Sequence, residues 1–367
     1  MEVKAIGSDQ EISRFVGFAE RVYQNYPCWV PHDEAHLADL ISGRSAFCVD
    51  ADIQAFWVEE DGNIIAEVTM WVDYAFNKHW NETLAHALFF EALPNRFDAV
   101  LALFETATAW AARNGTNGIR MAYLYGRQLP MTIDAYDKVP SAWHGYNPPY
   151  YHSYLKAAGF VSEEGCAEYQ VTFSDTTRQV FDNYVTKAEN KGVSFRTFDF
   201  DDLEKDTKIF SEMHNLTFAN HWGAAPITPI QMADLTIHIK DLIVPDIMLF
   251  AEVDGAPAGF VYCLPDFNQA FHKMRGKKIE DHQEEFQKHL AAIDHGILLI
   301  VGVKKEFRGR SIAPALSSAA FKAMMGLGYK SSSYTLVIEA NLASQRAIEK
   351  MGGFPARNFM TYRKPLT

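Results

Sequence analysis

The sequence is poor in several features that would narrow its function at once. Its 367 residues contain only four cysteines, without the paired spacing of zinc sites and redox motifs. The thirteen histidines form no HExxH or comparable metal-ligand pattern. The longest apolar runs, such as residues 296–303, are far too short to span a bilayer. We therefore expect free thiols, no metal and no transmembrane segment.

An excess of positive charge is also missing. The formal net charge is −12, which argues against a general binder of nucleic acid or of anionic membranes. The first ten residues are polar, so we expect a cytoplasmic protein. With 48% hydrophobic and 22% charged residues, the composition is that of a folded globular protein.

The two halves of the chain repeat one another. Residues 55–73 and 249–266 each contain two apolar runs joined by Asp-Gly, a strong signal for a β-hairpin. Residues 151–173 and 344–366 each show a short helical pattern, Gly-Phe, a loop and a last strand. Recurrence at a nearly constant offset indicates a duplicated fold.

A charged segment with few large apolar residues, 174–192, separates the two halves. The length suits two domains, which we place at residues 1–175 and 176–367. Each half also carries an insertion, at 126–149 and at 268–295. Insertions of this length in compact domains tend to be binding loops or lids.

The most informative stretch is VGVKKEFRGRSIAPAL, residues 301–316. An apolar strand runs into a basic loop and then into a helix predicted to begin near Ile312. A helix N-terminus presents unpaired N–H groups and a partial positive charge, which suit an anion such as a pyrophosphate. Ser311 is a good N-cap residue, and Pro314 falls in the first turn, where its missing N–H costs nothing.

This loop resembles the acetyl-CoA loop of the GNAT (Gcn5-related N-acetyltransferase) superfamily, Arg/Gln-x-x-Gly-x-Gly/Ala. The chain writes it as Arg308 to Ala313, with Ser311 where a glycine is usual. Residues 334–354 resemble the superfamily's strand-Asn-helix-Gly-Phe segment, with one extra glycine. The resemblance implies an α/β fold of two tandem GNAT-like domains, each with a mixed, mostly antiparallel sheet flanked by helices.

The resemblance also implies a binding site for acetyl-CoA, or another acyl-CoA, in the C-terminal domain. The central strand would pair its backbone with the pantetheine arm, and the loop would hold the pyrophosphate. The implied binding residues are Ile300, Val301, Gly302, Val303, Lys304, Lys305, Arg308, Gly309, Arg310, Ser311, Ile312, Ala313, Asn341, Ser344 and Arg346.

Acyl transfer to an amine also needs a base for the ammonium and an acid for the departing thiolate. Many superfamily members place a tyrosine seven residues after the motif asparagine, but this chain has Ile348 there. Tyr334 and Tyr362, each expected on a strand near the cleft, are the candidate replacements. Glu339 is the first candidate base, with Asp294 and His295 as second choices; surface or core roles remain open for all of these residues.

The first half has no counterpart of the basic loop. Between its central strand and the helix that begins near Asp98 lie only Pro94, Asn95 and Arg96. We therefore expect it not to bind CoA productively.

Two hypotheses remain open from the sequence. The first is a CoA-dependent N-acyltransferase whose acceptor is a small-molecule or peptide amine and whose donor carries an acetyl or a longer acyl group. The second is a non-catalytic, CoA-sensing or partner-binding module. We expect no nucleic-acid or membrane partner, and either a monomer or a homodimer, since the duplication already supplies a pseudo-dimer.

Overall fold

A computed structural model of the chain describes residues 1–31, 33–124 and 126–366. The chain forms two compact units. The first comprises Met1–Gly165 together with the C-terminal residues from Phe359 onward, and the second comprises Cys166–Asn358. Within the described residues, every helix falls short of the length and apolarity that crossing a bilayer requires.

The strands are β1 (Glu2–Ile6), β2 (Ala51–Glu60), β3 (Asn63–Asp73), β4 (Leu84–Ala92), β5 (Gly118–Met121), β6 (Met131–Thr132), β7 (Val161–Thr172), β8 (Val193–Thr197), β9 (Leu249–Val253), β10 (Ala256–Pro265), β11 (His295–Val303), β12 (Ser331–Ile338) and β13 (Gly353–Pro365). The helices are α1 (Asp9–Val22), α2 (Glu34–Ser42), α3 (Tyr74–Trp80), α4 (Phe97–Arg113), α5 (Tyr151–Ala157), α6 (Asp175–Glu189), α7 (Leu203–Thr217), α8 (Pro229–Ile239), α9 (Asn268–Lys273), α10 (Gln283–Ala291), α11 (Ile312–Gly326) and α12 (Leu342–Lys350).

The first unit is built on a mixed, mostly antiparallel sheet in the order β1-β2-β3-β4-β5-β13, with β6 also on β13. Among the strand pairs described in this unit, β4–β5 is parallel and the others are antiparallel. Helix α1 begins at a capping box, in which the Ser8 hydroxyl accepts the Glu11 N–H and the Glu11 carboxylate accepts the Ser8 N–H. Its apolar face packs into the core of this unit together with α4.

The second unit repeats the arrangement in the order β7-β12-β11-β10-β9-β8, with β11 and β12 parallel. Helices α6 and α11 cover one face of this sheet, and their apolar side chains form its core with Leu298 and Tyr334. The charged segment predicted to separate the halves is largely helix α6, whose Phe181, Val185 and Ala188 are buried.

Both predicted hairpins are present, as β2–β3 and β9–β10. Their turns place Asp61-Gly62 and Asp254-Gly255 at positive φ, the backbone that this dipeptide favours in two-residue hairpin loops. The insertion at 268–295 contains α9 and α10, which share a small apolar cluster of their own.

The last strand of each repeat lies in an unexpected place. Residues Cys166–Thr172 of β7 pair with β12 in the second unit. Residues Phe359–Pro365 of β13 pair with β5 and β6 in the first unit. Tyr362, expected near the CoA cleft, therefore belongs to the first unit.

Candidate functional site

The central strand β11 separates from its parallel neighbour β12 halfway along its length. The pairing runs from His295 with Ser331 to Leu298 with Tyr334 and then stops among the described residues. A bulge in each strand accounts for this. Between Tyr334 and Val337 the β12 register shifts, with Leu336 at a φ of 46°, and Leu299 is bulged out of the β10–β11 ladder. The result is a slot, bordered by residues 299–301 of β11 and residues 335–338 of β12.

Two of the four residues that the resemblance assigned to pantetheine, Ile300 and Val301, border the slot and are half-buried. All four, Ile300 to Val303, pair with β10 on the other edge of β11. Gly302 is required for packing, because a Cβ there would lie 2.6 Å from the Phe260 ring and 2.7 Å from the Thr217 hydroxyl. The end of α7 is therefore packed directly against the strand beside the slot.

The basic loop follows β11 directly. Lys304 N–H donates to the Ala258 carbonyl at 3.0 Å, and residues Lys305–Phe307 form one turn of 3-10 helix. Gly309 has a φ of 81° and Ser311 a φ of 66°. Backbone turns with such left-handed residues turn successive N–H groups into one concavity, a geometry that binds anions.

Ser311 does not cap α11 as its residue type suggested. Its backbone is left-handed, whereas a capping serine is typically extended, and its hydroxyl makes no capping hydrogen bond. The first intrahelical bond runs from Ala315 N–H to the Ser311 carbonyl, and Pro314 has no N–H. The N–H groups of Ile312 and Ala313 therefore stand at the start of the helix, where an anion is favoured.

The charges at this loop are exposed. Lys305, Arg308 and Arg310 are exposed, and the Arg310 guanidinium lies 5.9 Å from the Phe307 ring centre. Lys191, just beyond α6, donates to the Gly309 carbonyl at 3.3 Å. Lys191 was not predicted from the sequence, because it lies more than a hundred positions away from the loop along the chain.

The second motif forms the N-terminus of α12. Asn341 caps this helix by accepting the Ser344 N–H at 3.2 Å, while the Arg346 side chain is exposed. Ile348, in the usual tyrosine position, is fully buried. The extra glycine is explained by packing, because a Cβ at Gly353 would lie 2.9 Å from the Ile348 carbonyl oxygen.

Of the two candidate acids, Tyr334 lies beside this motif. Its side chain is buried, and its hydroxyl interacts with the side chains of Ser344 on α12 and Ser317 on α11. Burial raises the pKa of the Tyr334 phenol to about 12, so it stays protonated near neutral pH and is able to donate. Tyr362 instead shares a hydrogen bond of 2.7 Å with His152 Nδ1 in the first unit.

The candidate bases differ in surroundings. Glu339 is exposed in the turn after β12, where its carbonyl accepts the Gln345 side-chain amide. Asp294 pairs with Lys330 at 2.8 Å, and the hydrogen bond from Lys330 lowers the pKa of Asp294. His295 is buried on β11 between two serine hydroxyls. The contact with Lys330 therefore makes Asp294 a weaker base.

The first unit repeats the splayed strands. β4 pairs with β5 from Leu84 to Ala87, and two residues later Phe89 adopts a φ of 51°. Here tyrosine hydroxyls at and just before the start of α5 form hydrogen bonds with the backbone of β4 on the side where the strands separate. Tyr151 OH accepts the Ala92 N–H at 2.7 Å, and the preceding residue, Tyr150, donates to the Ala92 carbonyl at 2.7 Å.

The loop after β4 is covered in the same way. The Tyr154 hydroxyl accepts the Arg96 N–H and donates to the Leu93 carbonyl, both at 2.9 Å. The Arg96 side chain is paired with Glu60 and Asp98. Backbone groups at the position corresponding to the slot and loop of the second unit are thus bonded to protein; that this half does not take up CoA stays a prediction.

The described residues contain no group of three or more histidine, cysteine or acidic side chains able to hold a metal ion. All four cysteines are free thiols, and Cys166 and Cys263 are buried. The groups gathered at the slot are backbone amides, hydroxyls and exposed cations, a set that suits a phosphate-bearing ligand with an amide-containing arm.

The model of the acetyltransferase (GNAT) family matches residues 211–354. A bacterial ceramide synthase of Caulobacter vibrioides (strain NA1000 / CB15N) is 22% identical over all of this chain and 98% of its own length. Protein YghO of Escherichia coli (strain K12) is 20% identical over 99% of this chain and 95% of its own.

Among solved structures, a tandem GNAT protein from the clavulanic acid biosynthesis pathway aligns with a TM-score of 0.61. The alignment covers all of this chain and 99% of that protein, at 11% identity. The likeness therefore establishes the fold, two tandem GNAT domains, over the full length of the chain.

Proposed function

We propose that this protein, which matches the acetyltransferase (GNAT) family over residues 211–354 and shares the fold of a tandem GNAT protein over its full length, is an N-acyltransferase that moves an acyl group from acyl-CoA to an amine. The observation that carries the proposal is the combination, in the second unit, of the β11–β12 slot with the loop of residues 304–311 that leads into α11. The slot offers backbone partners to an amide-containing arm. The loop offers N–H groups and cations to phosphates.

Each group of residues then has a separate role in the proposed reaction. Ile300 and Val301 align the pantetheine arm by backbone pairing, so that an N–H of β11 polarises the thioester carbonyl. Arg308 to Ala313, assisted by Lys191, hold the pyrophosphate. Tyr334 donates its phenolic proton to the departing thiolate, because burial keeps that proton in place at neutral pH.

Two donor classes are consistent with this site. The family description favours an acetyl group. The Caulobacter relative is named a ceramide synthase, and a ceramide is an amide of a fatty acid with a long-chain amino alcohol. Apolar side chains on α7 and α8 favour the second class, since Leu216, Ile230 and Ile237 are 68%, 73% and 55% exposed. Leu216 precedes Thr217, the residue packed against Gly302.

Isothermal titration with CoA tests the donor site. We expect one CoA per chain, and loss of binding when Arg308→Glu and Gly309→Pro are combined. Lys288→Glu, an equal charge reversal at an exposed position on α10, is the control and should bind as the wild type does. Binding that survives the double substitution, or its absence at millimolar CoA, would exclude the site.

Free-thiol release tests turnover and donor class. Acetyl-CoA and palmitoyl-CoA are each offered with spermidine or with sphinganine, and release is compared with hydrolysis in the absence of amine. Release only with palmitoyl-CoA and sphinganine selects the long-chain class. CoA binding without amine-dependent release in any pairing would favour a non-catalytic, CoA-sensing module. The cytoplasmic location stays a prediction.

A further inference from the structure

A chain of hydrogen-bonded side chains crosses three strands of the second unit beside the slot. His295 on β11 contacts the Ser331 hydroxyl through Nδ1 at 2.7 Å and the Ser333 hydroxyl through Nε2 at 2.8 Å. Ser333 in turn donates a short hydrogen bond to Glu168 on β7. These hydrogen-bonded side chains are shielded from bulk water, with exposures of 8% for His295, 1% for Ser333 and 5% for Glu168.

The position of Glu168 follows from the strand register. Its neighbours Tyr169 and Ala167 pair with Tyr334 and Val337 of β12, so Glu168 stands opposite the β12 bulge. That bulge begins at Tyr334, the last β12 residue paired with β11. Glu168 therefore lies at the level where the slot opens.

The face of the sheet is equally informative. Side chains alternate along a strand, so Ser333 and Tyr334 point to opposite faces of β12. Tyr334 belongs to the core beneath α11, whereas Ser333 and Glu168 lie on the other face. The proposed acid and the Glu168 carboxylate thus stand on opposite faces of the sheet at the level of the slot, so one faces the departing thiolate and the other the incoming amine under the proposed reaction.

We infer that Glu168 is the proton acceptor for the incoming ammonium, a role that rests on the proposed acyl transfer. An ionised carboxylate only accepts hydrogen bonds, so the Ser333 proton is directed to Glu168. Ser333 must then accept from His295 Nε2–H, and Nδ1 accepts from Ser331. Ser333 and His295 are accordingly positioning residues that hold the carboxylate in place.

The transfer balances with the residues present. Glu168 takes one proton from the ammonium, and the freed nitrogen lone pair forms the new bond to the thioester carbon. The carbon–sulfur bond breaks, and the electron pair leaves with sulfur, which takes the Tyr334 proton. The nitrogen loses a second proton as the amide forms, Tyr334 regains one, and one proton passes to solvent overall.

The test compares Glu168→Gln with the wild type in thiol release from acetyl-CoA and palmitoyl-CoA, with spermidine and sphinganine as amines. We expect kcat to fall at least about 100-fold near pH 7, while the Kd for CoA stays within about twofold. As pH rises, more of the amine is already neutral in solution and needs no base. The loss of kcat in Glu168→Gln should therefore become smaller with increasing pH. Arg357 Nε lies 3.9 Å from Glu168, and His295 is linked to Glu168 through Ser333, so Arg357→Gln and His295→Gln are measured beside it.

Three further variants separate this role from a structural one. Glu168→Asp should recover part of kcat, and Ser333→Ala should lower kcat by about three- to tenfold without changing CoA binding. Glu349→Gln, on the exposed surface of α12, should match the wild type. If Glu168→Gln fails to bind CoA, Ser333→Ala decides instead.

The outcomes distinguish the two proposals. No amine-dependent release by the wild type would overturn the acyl transfer and the role of Glu168 together. Wild-type release with Glu168→Gln within about threefold, or with a defect that is constant across pH, would overturn the role of Glu168 alone.

Discussion

The buried carboxyl group of Glu91 bonds to Tyr151, one of the tyrosines that cover the splayed strands of the first unit, and its protonation gives a quantitative prediction. Tyr151 donates to Glu91 at 2.6 Å, and the Tyr23 hydroxyl lies 3.1 Å from Glu91 and 3.0 Å from the Tyr146 carbonyl. Tyr23 has one proton and cannot donate to both oxygens. A protonated Glu91 resolves this by donating to Tyr23, which frees the Tyr23 proton for Tyr146.

Burial of Glu91 also favours the protonated form of its carboxyl group. It raises the pKa of Glu91 to about 8, against the lowering effect of the hydrogen bonds from Tyr151 and Tyr23. Nearby Glu67 is also buried, and desolvation with the Glu91 charge raises its pKa well above the usual range. A carboxyl whose folded pKa is raised stabilises the fold fully below its unfolded pKa, and this contribution is lost as pH rises toward the folded pKa.

The size of the effect follows from the shift. Each unit of pKa difference corresponds to about 1.4 kcal/mol, so Glu91 should lower the free energy of unfolding by about 3 kcal/mol between about pH 5 and about pH 8. Glu91→Gln keeps the shape and cannot ionise. Its stability relative to the wild type should therefore increase by about 3 kcal/mol over the same range.

Urea unfolding at a series of pH values measures this difference. Six of the seven tryptophans lie in the first unit, so their fluorescence reports mainly on the unit that contains Glu91. Glu105→Gln, at an exposed position on α4, is the control and should parallel the wild type. A constant difference between Glu91→Gln and the wild type across the range would refute the reasoning.

Three other substitutions test the second unit. Ser311→Gly relieves a left-handed backbone that costs a serine about 1 kcal/mol, but a loop already in this conformation should bind CoA within about threefold of the wild type by titration. Tyr334→Phe should lower kcat about 10- to 100-fold with unchanged CoA affinity, and an unchanged kcat would remove the phenol from the reaction. Gly302→Ala should cost about 1–3 kcal/mol in thermal unfolding, because the new methyl group overlaps Phe260 and Thr217.

Local signals predicted the elements of this fold well. The Asp-Gly pairs predicted both hairpins, because positive φ at two consecutive positions is a property of the dipeptide itself. The start of α1 also depends on a local signal, because the capping box of Ser8 and Glu11 closes within three residues. The basic loop and Asn341 were recognisable because their roles depend on short spacings.

Pairing partners were not predictable in this way. Alternation along β7 and β13 indicates strands, but it does not state which sheet edge each strand joins. Because the repeats have similar last strands, either edge is compatible with the pattern. The placement of Tyr362 in the first unit, and of Glu168 opposite the β12 bulge, depends on that choice.

Duplication of a splayed sheet creates two places where strand backbone lacks a neighbouring strand. Buried N–H and carbonyl groups need partners from protein, water or ligand. In the first unit Tyr151 and Tyr154 of α5 and the preceding Tyr150 supply those partners. In the second unit the buried Ile348 supplies no hydroxyl, and a long hydrogen bond of 3.5 Å runs from the Thr335 hydroxyl to the Leu299 carbonyl at the slot; under the proposed function acyl-CoA pairs with the backbone there. A chain that duplicates the fold is thus expected to keep a single donor site, because tyrosine hydroxyls satisfy in one copy the groups that acyl-CoA would satisfy in the other.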